Sequence, residues 1–385
     1  MQKTIVHLTT VHPRNDARIL LKQVLTLAQA KQWSTTLVVA DGKGAAVHER
    51  DGITVPIRDV GRPPWGRLGR AILGTWRAFR EVHRLQADVV HFHDPELIPV
   101  GILLRLLGHK VTYDVHEDAP RQILSKHWLP RILRHPTAWI LSLLEWVGAK
   151  VFDAIVPATP KIAERFPPNK TVIVQNFPVL AELAAPDNVF YPRRPPAFVY
   201  VGGISVLRGA WEMVQSLEYL HEATNVRLEL AGYFSPAGLE AELQSLPRWV
   251  AVKFHGYVSR SQVAELLGGV RAGLVVLHPT PNHSDAYPVK MFEYMAAGLP
   301  VIASDFPLWR DIIEDAGCGL LVNPLDPKAI AVAMQWLLDH PEEAENMGRR
   351  GRRAVERTYN WERESIKLLA LYDRLLGEKQ LVAAR

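Results

Sequence analysis

The chain has 385 residues, which is enough for two domains of ordinary size. Hydrophobic residues make up 48% of it and charged residues 22%, which is typical of a globular protein and excludes a disordered chain. A single cysteine, Cys318, excludes a disulfide framework and a cysteine-rich metal site, and it indicates a reducing, cytoplasmic setting.

The net charge of +5 is distributed unevenly along the chain. Residues 1–190 hold 24 Lys and Arg against 17 Asp and Glu, a net charge of +7, and the remaining residues carry −2. An excess of this size is weak support for nucleic-acid binding. It fits a local anionic partner, such as a phosphate or a lipid headgroup, and we expect no nucleic-acid partner.

The first half of the chain alternates strand-like runs with segments in which apolar residues have helical spacing. A helix is predicted over 16–32, capped by Asn15 or Asp16, and another over 95–107. Because strands alternate with helices, we expect a parallel sheet covered on both faces. The predicted strands are 4–8, 36–40, 53–57, 87–92, 110–115, 153–156 and 171–174.

A proline-rich stretch, 177–196, separates this half from the next and favours an interdomain linker, which we place at 181–196. The alternation then starts again. We expect two α/β domains that face each other across a cleft, with ligands bound beyond the carboxyl ends of the strands. The second domain's predicted strands are 197–201, 227–231, 252–255, 273–277 and 300–303, and its predicted helices are 208–220, 259–267, 289–297 and 327–340.

Neither a signal peptide nor a membrane span is expected. The first apolar run, 4–8, is shorter than the core of a signal peptide. The most apolar helical segment, 137–149, is too short to span a bilayer and contains Glu145, so it is predicted to be a buried helix.

Common cofactor and metal motifs are missing from the sequence. No Gly-x-Gly-x-x-Gly follows the first strand, and no Gly-Lys-Ser/Thr loop occurs, which argues against dinucleotide and P-loop chemistry. There is also no His-Glu-x-x-His and no Asp-x-Asp. We therefore expect no cofactor and no metal site.

The segment 285–303 has the features of an anion-binding site. Pro288 suits the first turn of a helix, whose free N–H groups attract an anion, and Lys290 adds a positive charge there. Glu293 follows among apolar neighbours, where sugar hydroxyls would give its carboxylate partners. The pattern describes a nucleotide site, and it equally fits an ordinary amphipathic helix with a solvated glutamate.

This segment resembles the donor-site signature of the retaining glycosyltransferases of family 4. In that family two acidic residues separated by seven others lead into a Met-Ala-x-Gly-x-Pro-Val tail, which runs here from Glu293 to Val301. Residues 200–203, 255–258 and the C-terminal helices are also similar. The resemblance implies the α/β GT-B fold, with two facing Rossmann-like domains around a central cleft. The acceptor-side domain would be 1–180 and the donor domain 197–360, and a C-terminal helix, 361–385, would return to the first domain.

The resemblance also implies roles for individual residues. Glu293 would hold the ribose hydroxyls, and Asp285, where the family prefers Glu, would contact the transferred sugar with a reach one methylene shorter. Gly203 stands where the family has an Arg and Arg208 where it has a Lys, so Lys290 would replace the missing cation at the diphosphate. The full donor set is Gly202, Gly203, Arg208, Gly256, Tyr257, Val258, Tyr287, Pro288, Val289, Lys290 and Glu293.

Candidate acceptor residues lie in the first domain. The resemblance places His116 near the transferred sugar, where it would join Asp285, Arg208 and Lys290 as a catalytic residue; the alternative is a histidine at a strand end. His93 and Asp94 are candidate acceptor contacts, although Asp94 before Pro95 also reads as a helix N-cap. Arg14 and Arg18 would meet an anionic acceptor or the donor phosphates, or else be solvated surface residues.

Two segments of the first domain combine basic and aromatic residues, which suits an anionic membrane surface. An arginine-rich solvated helix face over an ordinary core explains them equally well. We call them the first and second Arg/Trp segments. The first holds Arg62, Trp65, Arg67, Arg70, Trp76, Arg77, Phe79, Arg80 and Arg84, and the second Arg121, Lys126, Trp128, Arg131, Arg134, Trp139 and Trp146.

The resemblance implies a metal-independent, hexosyltransferase-like retaining enzyme. It would move a sugar from a nucleotide-diphosphate sugar, by front-face attack, to a glycan or lipid-linked acceptor of cell-surface polysaccharide or glycolipid synthesis. We expect it in the cytoplasm, peripheral on the cytoplasmic face of the membrane. The alternatives are a sugar-nucleotide-binding regulatory subunit with little catalysis and a sugar-nucleotide epimerase on the same fold.

Overall fold

A computed structural model describes residues 2–125, 129–183, 191–221 and 225–377. Lys126, Trp128, part of the predicted linker and the end of the predicted C-terminal segment lie outside these ranges. The chain forms two compact units. The first contains the chain up to Asn176 and again from Arg363, and the second runs from Phe177 to Glu362.

The first unit is built on a seven-stranded sheet with the order β3-β4-β2-β1-β5-β6-β7. Every neighbouring pair is parallel except β3 and β4, which form an antiparallel hairpin. The strands are β1 Lys3–Leu8, β2 Trp33–Val39, β3 Ala46–Arg50, β4 Ile53–Asp59, β5 Val89–Phe92, β6 Lys110–Val115 and β7 Ala154–Pro157.

Helices connect these strands and cover both faces of the sheet. The first connection begins as a π-helical stretch, Ile19–Val24, after Asp16 accepts hydrogen bonds from the N–H groups of Arg18 and Ile19, both at 2.9 Å. It continues as α1, and a second π-helical stretch, Arg70–Gly74, lies between α2 and α3. The α-helices are α1 Leu25–Gln29, α2 Gly66–Gly69, α3 Thr75–Arg84, α4 Ile98–Leu106, α5 Ala119–Ser125, α6 Arg131–Val151 and α7 Pro160–Ala163.

The two faces of this sheet differ in chemistry because side chains alternate along a strand. On β5, Val90 and Phe92 join an apolar core with Phe152. His91 and the following His93 alternate with them and face the opposite side, where polar residues are also completely buried. This polar layer lies at the carboxyl half of the central strands.

The second unit contains a six-stranded, wholly parallel sheet with the order β10-β9-β8-β11-β12-β13. Its strands are β8 Ala197–Val201, β9 Arg227–Ala231, β10 Val252–Phe254, β11 Ala272–Val275, β12 Val301–Ser304 and β13 Gly319–Val322. Its helices are α8 Ala210–Ser216, α9 Leu239–Gln244, α10 Arg260–Gly268, α11 Pro281–Ser284, α12 Val289–Ala296, α13 Pro307–Ala316, α14 Pro327–Asp339 and α15 Pro341–Arg357.

The last helix, α16 Trp361–Leu376, belongs to the first unit from Arg363 onward. Glu364 accepts a hydrogen bond from the N–H of Gln175 at 2.8 Å, and Leu368, Leu371 and Tyr372 are buried. The helix therefore contributes side chains to the interior of the first unit.

Several predicted elements differ from the structure. Segment 171–174 is extended but is not a full strand, since it is joined to β7 by an isolated bridge between Thr171 and Ile155. Strands β3 and β13 were not predicted. Leu183 and Tyr191, within the predicted linker, are buried in the core of the second unit, and the Tyr191 hydroxyl donates to the Arg271 carbonyl at 2.5 Å.

Within the described ranges, no helix combines the length and the apolar character that crossing a bilayer requires.

Candidate functional site

In the second unit, a glycine turn follows β8 at the carboxyl edge of the sheet. Gly202 has a φ of +125°, a conformation that favours glycine, and a Cβ there would lie 3.2 Å from Nζ of Lys290. A Cβ at Gly203 would lie 2.9 Å from Nη1 of Arg208, which donates to the Gly203 carbonyl at 3.3 Å. The guanidinium of Arg208 thus lies beside position 203, where the resemblance implied a missing arginine.

Lys290, in the first turn of α12, places its ammonium on the other side of this turn. Nζ is buried without a hydrogen-bond partner among the described residues and lies 3.5 Å from the centre of the Tyr200 ring. Burial, followed by the nearby charge of Arg208, lowers the pKa of Lys290 well below its usual value. Two basic side chains therefore flank the Gly202–Gly203 turn, and neither forms an ion pair with another described residue.

Glu293, one turn further along α12, has a partner that the sequence did not suggest. Nη1 of Arg260, the first residue of α10, donates to Oε1 of Glu293 at 2.5 Å, and its Nε donates to Oε2 of Glu182 at 3.2 Å. Glu293 is buried, so the solvated-glutamate alternative is wrong. Arg260 instead fixes this carboxylate in one position.

A side chain of α13 holds the segment before α12 in place. The indole Nε1 of Trp309 donates to the Ala286 carbonyl at 2.8 Å, which holds the loop containing Asp285 and Tyr287. Pro288 lies just before the helix, which begins at Val289 rather than at the proline. Asp285 is half-buried and so are Tyr287 and Val289.

The base-binding segment predicted at Gly256–Val258 follows β10. Gly256 has a φ of +65°, and its carbonyl accepts from the N–H of Gly232 at 2.7 Å. The Tyr257 side chain is exposed, whereas Val258 packs against the core of the second unit.

In the first unit, Asp114 is the centre of a buried polar cluster. It accepts two hydrogen bonds from Arg18, at 3.2 and 2.8 Å, and one from Gln23. Nε2 of His91 and Nδ1 of His93 lie 3.5 and 3.4 Å from its Oδ2. Although burial opposes ionisation, the Arg18 guanidinium holds the pKa of Asp114 well below its usual range.

Four histidines surround this carboxylate. Burial lowers the pKa values of His7 and His91, and it lowers those of His93 and His116 to about 3 and about 4. The first three are sealed from solvent, whereas the His116 side chain keeps 17% of its surface exposed. His116 is therefore the solvent-facing end of a neutral imidazole cluster.

Asp94 is not the side-chain cap of the turn that begins at Pro95, because no capping hydrogen bond forms. Its Oδ2 instead accepts from the N–H of Thr10 at 2.6 Å and the hydroxyl of Thr9 at 2.9 Å, and its Oδ1 lies 2.9 Å from Nδ1 of His12. Although burial acts against ionisation, the His12 contact lowers the pKa of Asp94 to about 2. Asp94 holds the loop after β1.

The two arginines predicted to meet an anion have other partners. Arg18 is buried and also donates to the Val174 carbonyl at 2.8 Å, so the solvated alternative is wrong for it. Arg14 donates to both carboxylate oxygens of Asp41, at 2.8 and 2.7 Å, and to the Gly44 carbonyl. Each guanidinium is therefore paired with a carboxylate of the first unit.

One set of side chains has the geometry of a metal site. Ligand atoms of His91, His93 and Asp114 lie within 4.8 Å of one another. The Arg18 guanidinium, however, already neutralises Asp114 in the same buried space. A divalent cation would add two uncompensated charges there, so the donor set does not suit a metal.

Two family models match the two units. "Glycosyl transferase 4-like domain" matches residues 21–176, and "Glycosyl transferases group 1" matches residues 186–354. The chain belongs to the group 1 glycosyltransferases, family 4. A D-rhamnosyltransferase of Pseudomonas aeruginosa is 25% identical over 300 residues, which are 72% of this chain and 71% of that protein.

Solved glycosyltransferase structures share the fold. Sucrose-phosphate synthase from Thermosynechococcus elongatus gives a TM-score of 0.71 at 19% identity, covering 97% of this chain and 99% of that chain. HepE of Anabaena in complex with UDP-glucose gives 0.69 at 13% identity, covering 96% and 99%. The fold of this glycosyltransferase is GT-B, as the sequence predicted.

The sequence missed several residues of this glycosyltransferase's two polar sites. Arg260 lay unremarked within the predicted helix 259–267, and nothing in its local sequence relates it to Glu293. The alternation of His91 and His93 along β5, with Asp114 on the neighbouring strand, was a usable signal for a polar sheet face. The local sequence of Tyr372 carried no such signal, because only the return of α16 to the first unit brings this side chain to the polar face of the sheet.

Proposed function

We propose that this glycosyltransferase acts with retention of configuration on a nucleotide-diphosphate sugar and needs no metal ion. The observation that supports it most is the buried ammonium of Lys290, which has no hydrogen-bond partner among the described residues and lies beside the Gly202–Gly203 turn. A buried unpaired charge costs free energy, and a diphosphate bound at the turn would offset that cost.

The second cation is Arg208, and the start of α12 adds backbone N–H groups that lack partners within the helix. Fixed positive groups of this kind stabilise the charge that develops on a leaving diphosphate without reorganising. They would take over the role that a metal ion plays in other transferases. Glu293, oriented by Arg260, would accept hydrogen bonds from the ribose hydroxyls, and the backbone at Gly256–Val258 would hold the base.

For the sugar itself we propose Asp285 and His116. HepE in complex with UDP-glucose has a similar fold, so a uridine donor is the first to test. A donor binds the folded state only and raises its melting temperature. A thermal-shift screen of UDP-, GDP- and ADP-sugars should give one clear responder, followed by transfer assays with analysis of the product's anomeric configuration. No response to any donor, or an inverted product, would refute the proposal.

Two other functions must be distinguished by experiment from sugar transfer. Gly203 at the family's arginine position and the shorter acid Asp285 favour a regulatory subunit that binds the donor with little turnover. A sugar-nucleotide epimerase would isomerise the donor with no acceptor present. Incubation of the responding donor with and without candidate acceptors, followed by separation of the products, distinguishes all three.

We further propose a lipid-linked acceptor of cell-surface polysaccharide or glycolipid synthesis, reached at an anionic membrane surface. In the first unit, α3 packs beside α4, and α4 packs beside α6. Large apolar side chains on these helices and α2, or next to them in the chain, are exposed, and we call this set the Trp surface. Its members are Trp65, Leu68, Ile72, Trp76, Leu103, Leu106, Leu107, Ile132, Leu133, Trp139, Ile140, Leu143 and Trp146.

Basic residues accompany the Trp surface. Arg67, Arg80, Arg84 and Arg131 are exposed, and the ammonium of Lys150 lies 5.6 Å from the Trp146 ring centre. Exposed tryptophans with cations beside them suit the headgroup region of an anionic bilayer. Phe79 of the first Arg/Trp segment does not contribute, since it packs against the core.

A further inference from the structure

A carboxylate and an imidazole form a pair in the loop that follows β1 in the first unit. Oδ2 of Asp94 accepts hydrogen bonds from the N–H groups of Thr10 and Val11, at 2.6 and 3.2 Å. It also accepts one from the Thr9 hydroxyl at 2.9 Å. Oδ1 of the same carboxylate lies 2.9 Å from Nδ1 of His12. The loop thus holds one carboxylate oxygen, and the imidazole contacts the other.

The charge of Asp94 decides which nitrogen of His12 carries a hydrogen. Although burial opposes ionisation, the hydrogen bond to His12 lowers the pKa of Asp94 to about 2, so near neutral pH this carboxylate can only accept. The second neighbour of Nδ1, the Thr9 hydroxyl at 3.3 Å, already donates its proton to Asp94. Both neighbours of Nδ1 are therefore acceptors, and Nδ1 carries the hydrogen. Nε2 is the nitrogen that gains or loses the second proton.

Nε2 of His12 is available to a ligand. It has no hydrogen-bond partner among the described residues, and 27% of the side chain is exposed. The ring centre of His12 lies 4.7 Å from that of His116. The two residues follow β1 and β6 at the carboxyl edge of the sheet, where ligands of α/β proteins bind. His12 therefore lies beside the residue that we propose for the transferred sugar.

The two neighbouring rings differ in their affinity for a proton. Burial lowers the pKa of His116 to about 4. Burial acts on His12 in the same direction, but the hydrogen bond to Asp94 outweighs it and raises the pKa of His12. Asp16 in the same loop and Asp114 at the end of β6 add to this increase. When the surroundings separate two pKa values in this way, they distinguish the base from its neutral neighbour, and the base here is His12.

The pair suits proton transfer better than the binding of an anion. When His12 is protonated, its charge is compensated by Asp94 at 2.9 Å, so the ion pair has no net charge for an anionic acceptor. The guanidinium of Arg18, just beyond this loop, is likewise paired with Asp114. A carboxylate behind an imidazole instead orients the ring and stabilises the imidazolium that forms when Nε2 takes a proton.

We propose that His12 is a catalytic residue whose Nε2 accepts the proton of the attacking acceptor hydroxyl, and that Asp94 is its positioning residue. In this step the acceptor oxygen forms a bond to the anomeric carbon of the donor sugar. The bond from that carbon to the diphosphate oxygen breaks, the diphosphate leaves with the electron pair, and the hydroxyl proton moves to Nε2. The role rests on the proposed function, because the leaving group is the diphosphate of the donor.

The protonation of His12 is measured without any substrate, in long-range proton–nitrogen correlation spectra of the full chain labelled with ¹⁵N-histidine. His12 is assigned by comparison with His12→Asn. Nδ1 should stay protonated at every pH, and Nε2 should titrate with a pKa above the usual 6.5. Asp94→Asn should lower this pKa. A bare Nδ1 in the wild type overturns the proposal whether or not Asp94→Asn folds, and so does a pKa that the variant leaves unchanged.

His12→Asn separates catalysis from structure. The asparagine amide can donate to Asp94 in place of Nδ1, but nothing replaces Nε2. The melting temperature and the thermal shift caused by the donor should therefore stay near wild type, while kcat falls about a hundredfold. His83→Asn, at an exposed position of α3, is the matched control and should change none of these quantities. Wild-type kcat in His12→Asn would show that the imidazole only supports the loop.

The pH dependence of kcat shows which form of His12 is active. Release of the nucleoside diphosphate is followed with an acceptor that yields a product and with water as the acceptor. Because only the neutral ring accepts a proton, kcat of the wild type should rise with pH through the pKa of His12 and then level off. Asp94→Asn should move this rise to lower pH. A kcat that falls over the same range would show a cationic role and overturn the proposal. Failure of the donor assignment is seen separately, as the absence of any thermal shift in the wild type.

Discussion

The ammonium of Lys290 lies 3.5 Å from the centre of the Tyr200 ring. A ring face attracts a cation but supplies no hydrogen bonds, so Nζ is buried with three unsatisfied N–H groups. The protein thereby keeps an unpaired amino group beside the glycine turn, and an anion bound there would favour its charged form.

Lys290→Met should raise the thermal stability of the free protein and abolish most of its activity. The substitution keeps the volume of the stem and removes a buried amino group that has no hydrogen-bond partner, so the melting temperature should rise. Transfer should fall about a hundredfold, and the thermal shift caused by the donor should shrink. Lys328→Met, at an exposed position in the same unit, is the matched control and should change neither quantity. Wild-type turnover in Lys290→Met would contradict the assigned role.

Arg260 should affect donor binding only through Glu293. Arg260→Met leaves that carboxylate buried without its counter-charge and free to change rotamer, so the donor KM should rise about tenfold. If the two residues act as one unit, the double variant with Glu293→Gln should be no worse than the more damaged single variant. Additive losses in this double-mutant cycle, measured as kcat/KM, would show that Arg260 contacts the donor independently.

The imidazole cluster should make the first unit sensitive to acid. The folded pKa values of His7, His91, His93 and His116 lie below 6.5, so as the pH falls below 6.5 the unfolded chain binds protons that the folded chain excludes. Each imidazole costs about 1.4 kcal/mol of unfolding free energy per pH unit in this range, until the pH reaches its folded pKa.

His12 does not contribute to this acid slope, because below pH 6.5 its proton is bound in both the folded and the unfolded chain. Although burial acts the other way, its hydrogen bond to Asp94 raises its pKa. Hydrogen exchange of amides in β1 and β5, corrected for intrinsic rates, should show the opening free energy falling between pH 6.5 and about 4. His7→Gln should reduce the number of protons taken up on opening, which this slope measures, by about one. An opening free energy that does not change between these pH values would contradict the burial of neutral imidazole rings.

The Trp surface should bind anionic vesicles. Co-sedimentation with phosphatidylglycerol vesicles at low salt should be strong and should weaken with phosphatidylcholine or at high salt, because attraction to the surface charge is screened. Trp139→Ser with Trp146→Ser should reduce binding about tenfold or more. Tyr219→Ser, an exposed aromatic residue of the second unit, should leave it unchanged. Equal binding of all variants, or none by the wild type, would refute the membrane proposal.

The sequence by itself determined the two α/β sheets and the family. Strand and helix periods are local, and the segment from Glu293 to Val301 is contiguous, so neither requires knowledge of which distant residues meet. The same local rules did not find β3 and β13, and they predicted a strand at 171–174, where the backbone joins the sheet at a single bridge.

Only the tertiary structure decided the partners of the site residues. Arg260 meets Glu293 across 33 positions, Arg18 meets Asp114 across 96, and Tyr372 meets His91 across 281. A charged or polar side chain in a sequence shows that it will need a partner when buried, but not which one. That choice depends on the order of strands in the sheet and on the return of α16 to the first unit, where burial makes each of these contacts necessary.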